Sequence, residues 1–165
     1  MAFSGKTTER LASIVIYAVL GGMALWAGSA LINFSLESKF HKDFLLKWEV
    51  VLRTYNQQSG TWPRFSGGNH IQYMEKLILL MQSRGLPPPD SNAGRPYVYQ
   101  LDRIGDPEEQ IFLLCFPQKI ILYGISAETF ARLDASIDGK TGPKRGMFKG
   151  RQSRDGRTYV GLWQI

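Results

Sequence analysis

The sequence predicts an α+β fold in which an N-terminal transmembrane helix continues as a long amphipathic stem packed on a small antiparallel sheet. Three observations carry this. The stretch Leu11 to Leu36, LASIVIYAVLGGMALWAGSALINFSL, contains no charged side chain and exceeds the roughly 20 apolar residues that a bilayer-spanning helix needs. The residues after it keep a helical spacing of apolar side chains, and no Pro or Gly interrupts before Gly60. Beyond residue 95, three runs rich in aromatic and β-branched residues lie between turn signals, as strands do.

The opening MAFSGKTTER sets Lys6 and Arg10 against Glu9, so the positive-inside tendency puts the N-terminus in the cytoplasm. The expected location is the cell inner membrane, single-pass, with the C-terminal domain periplasmic or extracellular. A cleaved signal peptide is the competing reading, because AGSA at Ala27 to Ala30 offers small residues for cleavage. The apolar stretch is long for a signal and runs past that site, which favours a retained anchor. Gly21, Ala24 and Gly28 fall on one helical face. Small residues there let a second helix approach closely, so the expected partners are the lipid bilayer and other membrane-helix subunits, in a homo- or hetero-oligomer.

Past Leu36, Phe40, Phe44, Trp48, Leu52 and Tyr55 recur at a spacing of three to four, the signature of one buried helical face. These five are the expected contact of stem with sheet. Charged residues from Glu37 to Arg53 fill the other faces. From Leu11 to Gln57, at about 1.5 Å per residue, the predicted rod is about 70 Å long.

Breakers in SGTWPRFSGGNH, Ser59 to His70, mark a loop. This divides the chain into 1–58, membrane and stem helix, and 59–165, an extracytoplasmic α+β domain. HIQYMEKLILLMQSRG places Ile71, Met74, Leu77, Ile78 and Met81 on one face of a short helix, with Gly85 and then three prolines after it. The strands are expected at PYVYQL (96–101), QIFLLCFP (110–117) and KIILYGIS (119–126). Only Pro117 and Gln118 separate the second from the third, which implies a tight antiparallel hairpin. AETFARLDASI reads as a short helical turn, and Asp155-Gly156 in the tail as the turn of a last hairpin.

Chemistry is scarce. Cys115 is the one cysteine and sits in an apolar strand, where it reads as a packing residue. His41 and His70 have no partner at metal-ligand spacing and read as surface residues. No phosphate-binding or nucleophile motif occurs, and Asp134 and Asp138 read as turn residues. The expectation is therefore no enzyme, no cofactor and no metal. The whole surplus of six positive charges lies in Gly139 to Ile165, which has seven basic residues and one acid. Lys149, Arg151, Arg154 and Arg157 could hold a nucleic acid by phosphate contacts. A solvated edge hairpin, its charges discouraging strand addition, is the favoured reading.

In LRTYNQQSGTWPRFSG, the stem ends with Tyr55, polar residues, Gly60, Trp62 and Pro63, and YMEKLILLMQSRGLPPP follows. This end, with the order of elements around it, resembles type IV pilins and type II secretion pseudopilins. The resemblance implies a structural subunit of a membrane-anchored filament or secretion machine. Departures sit at the start: Gly5 is followed by KTTER, Lys6 stands where the family has an aromatic, and Glu9 falls one residue early beside Arg10. The family's paired C-terminal cysteines are also missing. A non-polymerising single-pass accessory subunit of a larger membrane complex is the alternative, and nucleic-acid capture through the basic tail a weaker one.

Overall fold

The computed structural model describes residues 5–139, 142, 144–154 and 156–165. Helical backbone runs unbroken from Gly5 to Gln57: α1 (Gly5–Lys39), a six-residue π-helical turn (Phe40–Leu45) and α2 (Leu46–Gln57). This helix is long and apolar enough near the N-terminus to cross a membrane. It does not break at Asn33 to Ser35, nor does the pair Gly21-Gly22 interrupt it. The π turn was not legible in the sequence, because the spacing of Phe40, Phe44 and Trp48 also suits an ordinary α-helix. It contains neither Pro nor Gly, so the widened turn follows from what its side chains pack against. The rings of Phe40 and Phe44 each lie 4.8 Å from that of Tyr99, and the sequence neighbours Phe44 and Leu45 are both buried.

The stem ends where the sequence places its breakers. Gly60 N–H donates to the Tyr55 carbonyl, and the Tyr55 hydroxyl donates to Thr61 O at 2.7 Å. Trp62 meets the Tyr55 ring edge-on at 5.5 Å. A side chain on Gly60 would collide with the Tyr55 ring, so this close approach requires glycine. Helix α3 (His70–Gln82) follows, burying Tyr73, Met74, Leu77, Ile78 and Met81. Ile71, expected on the same face, is exposed. Four of the five expected residues keep their places and Tyr73 replaces Ile71, because α3 sits at the sheet edge: Tyr73 donates its hydroxyl to Cys115 O at 2.9 Å and the Met74 sulfur accepts from Cys115 N–H. These two side chains satisfy backbone groups of a strand beyond the end of its short neighbour.

That sheet has five antiparallel strands, β1 (Val98–Leu101), β2 (Glu109–Phe116), β3 (Lys119–Ile125), β4 (Phe148–Gln152) and β5 (Tyr159–Gln164), in the order β1-β2-β3-β5-β4. The β2–β3 hairpin closes at Phe116 opposite Lys119, as the spacing predicts. At Gly124 the β3–β5 register shifts, with φ at +83° and the Gln110 carbonyl 2.6 Å from where a Cβ would stand. Between β3 and β4 lies α4 (Ala127–Asp138), a twelve-residue helix rather than a single turn. It is capped by Ser126 Oγ, which accepts from Thr129 N–H at 3.1 Å, and its Phe130 stacks on Phe148 and Tyr159.

Opposed residues in an antiparallel pair share a face, so Tyr99, Ile111 and the row Cys115, Ile120, Trp163, Phe148 line one side of the sheet. The stem and α4 cover that side. On the other, His70 and Phe65 pack against Phe112 and Phe116. Both histidines are half-buried among rings, not surface residues, because each lies where a helix crosses the aromatic sheet. The last hairpin, β4 with β5, forms on either side of the Asp155-Gly156 cue. Ser153 N–H donates to Thr158 O at 2.8 Å beyond the final pair Gln152–Tyr159, so the connection spans 153–158. Asp155 and Lys140 lie outside the described residues.

Candidate functional site

The most concentrated polar arrangement lies where the apolar helix meets the domain. Glu37, the first charged residue after Leu36, is buried. An isolated buried carboxylate would be costly, and this one is met by two guanidinium groups. Arg103, in the β1–β2 loop and almost fully buried, donates through Nη1 to Glu37 Oε1 at 2.9 Å and through Nη2 to Glu109 Oε1 at 2.5 Å. It also donates to Ser126 Oγ at 3.1 Å, with Asp106 and Glu128 at 3.4 and 3.6 Å. Arg132 of α4 donates to the second oxygen of Glu37 and, at 2.5 Å, to Glu128 one turn earlier. Burial alone would lower the Arg132 pKa; the carboxylates of Glu128 and Glu37 outweigh it and raise it.

The remaining lone pairs are used as well. Glu109 Oε2 accepts Ser126 N–H at 2.9 Å and its Oε1 the Thr129 hydroxyl at 3.0 Å. One cluster thus ties together the stem, the β1–β2 loop, β2 and the start of α4. Four carboxylates face two guanidiniums. Glu37, Arg103 and Glu109 are the buried part, while Arg132, Glu128 and Asp106 reach solvent; a buried triad fixes relative position more than it adds stability, but removing one of its members leaves uncompensated charge there. One turn toward the N-terminus, Asn33 makes a second clamp on the same loop. Its Nδ2 donates to Ile104 O at 3.1 Å, and its Oδ1 accepts Ile104 N–H at 2.8 Å.

The residues expected from sequence fall into three places. Phe40, Phe44, Trp48, Leu52 and Tyr55 are all within 1% of full burial, and Trp48 Nε1 donates to Pro96 O at 3.1 Å. Gly21, Ala24 and Gly28 lie on α1 far from the domain, and a Cβ on either glycine would meet nothing. Lys149 and Arg151 share one face of β4, opposite Leu162 and Val160, while Arg154 and Arg157 lie in the β4–β5 connection and not on a strand. The four basic residues are therefore not brought into one strip. Asp134 and Asp138, expected in a turn, lie in the C-terminal part of α4, where their carboxylates accept from Gly142 N–H at 2.9 Å and from the amides of Met147 and Phe148 and so hold the chain that follows the helix. Cys115 is buried and its thiol is pushed well above its usual pKa by that burial, a packing position.

Glu37, Arg103, Glu109 and Arg132 were not singled out from the sequence. Two signals point to them in retrospect: Glu37 ends the charge-free run, and Arg103 is the lone cation in LDRIGDPEEQ. Comparison with protein-family models, with curated proteins and with solved structures gives no match to this chain.

Proposed function

We propose that this protein is a structural, single-pass membrane subunit of pilin-like type, its extracytoplasmic domain carried rigidly on a helix that inserts in the bilayer of the inner membrane. The observation that supports this best is the continuity of the helix through Glu37, where the apolar half gives way to a half buried against the sheet. A flexible tether would carry a soluble domain equally well. A rigid stem clamped by Arg103 and Arg132 transmits position and load between membrane and domain, as a filament or secretion-machine subunit must.

A second reading is a non-polymerising accessory subunit of a larger membrane complex. One observation favours it: the run Leu11 to Leu36 holds no charged residue that could set register against a neighbouring subunit. The mass of the chain recovered from membranes separates the two. A start at Lys6 supports the filament subunit, and a start at Met1 the accessory one. A start near Leu31 removes the anchor and overturns both.

A further inference from the structure

We infer that the β1–β2 loop is a second membrane contact, seating Ile104 in the headgroup–acyl boundary at the level of Asn33. This rests on the membrane reading proposed above. With Arg10 at the inner edge of the hydrocarbon, Asn33 stands about 34 Å along the helix at about 1.5 Å per residue. The hydrocarbon core is about 30 Å thick and the bilayer with its headgroups about 40 to 45 Å. Asn33 thus lies within the outer interfacial layer, and Glu37, about 6 Å further at that rise, at its watery edge.

Two attachments hold the loop beside Asn33. Both ends of the Asn33 amide are spent on the backbone of Ile104, and Arg103, the preceding residue, is locked to Glu37. This also explains how an amide is tolerated there: an unsatisfied one at the edge of hydrocarbon would be costly. Ile104 is 52% exposed and Phe34, on the helix at the same level, 66% exposed. In water an isoleucine so displayed gains nothing, whereas in the interface its burial is favourable. The occupant is the acyl boundary of the bilayer and not anionic headgroups, because Asp102 and Glu108, both exposed, flank the loop.

The full chain is reconstituted in phosphatidylcholine vesicles with a nitroxide on Ile104→Cys, and its accessibility to oxygen and to a water-soluble nickel chelate is measured. Cys115 is buried, so wild-type chain should take up no label. Leu20→Cys reports the membrane centre, Phe34→Cys the interface and Gln57→Cys the aqueous end of the stem. The expected result is an oxygen-to-nickel ratio at position 104 matching position 34 and several-fold above position 57. Adding Asn33→Leu, which keeps the helix apolar, should move position 104 toward the aqueous value. A lipid-like position 20 with a water-like position 104 overturns this inference and leaves the membrane reading standing. A water-like position 20 overturns both. A position 104 that stays lipid-like in the Asn33→Leu chain overturns the assignment of Asn33 as the residue that positions it.

Discussion

Trp26 and Trp48 lie on one uninterrupted helix, yet Trp26 is 74% exposed and Trp48 is fully buried. The two halves of the helix share a backbone and differ in how apolar residues are distributed around it. From Leu11 to Leu36 they cover every face, and from Phe40 to Tyr55 most gather on one side, with charges and the exposed Val50 on the others. The stem half finds its apolar surroundings in the sheet, through Tyr99 and its neighbours. The other half finds none among the described residues; on the function proposed above, lipid or other helices supply them. Apolarity alone does not foretell burial within a chain; its angular distribution does.

The sharpest test sets the two tryptophans side by side. Trp48→Ala should destabilise the domain by about 3 to 5 kcal/mol, the usual loss for truncating a buried large aromatic, with the bond to Pro96 O lost as well. Trp26→Ala should change it by less than about 0.5 kcal/mol, as a residue without tertiary contacts does. Denaturant unfolding of the full chain in detergent micelles, followed by the near-ultraviolet signal of the domain, measures both. A Trp48→Ala loss below about 1 kcal/mol would remove the stem from the core.

The boundary between the halves is nearly as sensitive. Arg103→Ala leaves Glu37 and Glu109 facing each other in a buried site, and a broken buried pair costs about 3 to 5 kcal/mol. Removing all three groups together, with Arg103→Met, Glu37→Gln and Glu109→Gln, should recover much of that loss because the uncompensated charge goes too. If the triple variant is no more stable than Arg103→Ala, the network matters through its hydrogen bonds rather than its charge balance.

How far each half was legible follows from the same distinction. Periodicity is local, so the stem face from Phe40 to Tyr55 and the strands β1 to β3 could be read from neighbouring residues. The cluster at Glu37 could not. Its members stand 66 residues apart for Glu37 and Arg103 and 95 for Glu37 and Arg132, and nothing local pairs them. The strand order was hidden for the same reason. A hairpin cue at Asp155-Gly156 says that β4 and β5 are neighbours but not that β5 inserts beside β3.

In the outer half the expected effect is on association and not on stability. Gly28→Leu meets no atom of its own chain, and Leu is favourable in lipid, so insertion and domain unfolding should be unchanged. If Gly21, Ala24 and Gly28 admit a neighbouring helix, the bulk of Leu separates the backbones and association is lost. Co-purification of partners from native membranes reads this. Unchanged partners would place the contact on another face of the helix.

The smallest effect is expected at the far edge of the sheet, where charge is most concentrated and least organised. Lys149 is half-buried on edge strand β4 and Arg151 is exposed two residues on, while Arg154 and Arg157 sit in the connection that follows. Replacing all four by Ser should change domain stability by about 0.5 kcal/mol or less each, the range of surface substitutions. For nucleic acid, four phosphate contacts at roughly 0.9 counterion each give a log-log salt slope of about −3 to −4 on duplex DNA. Binding by the full chain in micelles should be no tighter than about 10⁻⁴ to 10⁻⁶ M near physiological salt, the range of non-specific attraction. The geometry argues against more, because two cations on a strand and two in a turn do not track a backbone. On the alternative reading, charge on edge strand β4 discourages another chain from adding to that edge. Titration of a labelled duplex at several salt concentrations decides between the uses. Nanomolar binding at physiological salt, lost in the four-Ser variant, would make nucleic-acid capture the leading function and leave the stem as its carrier.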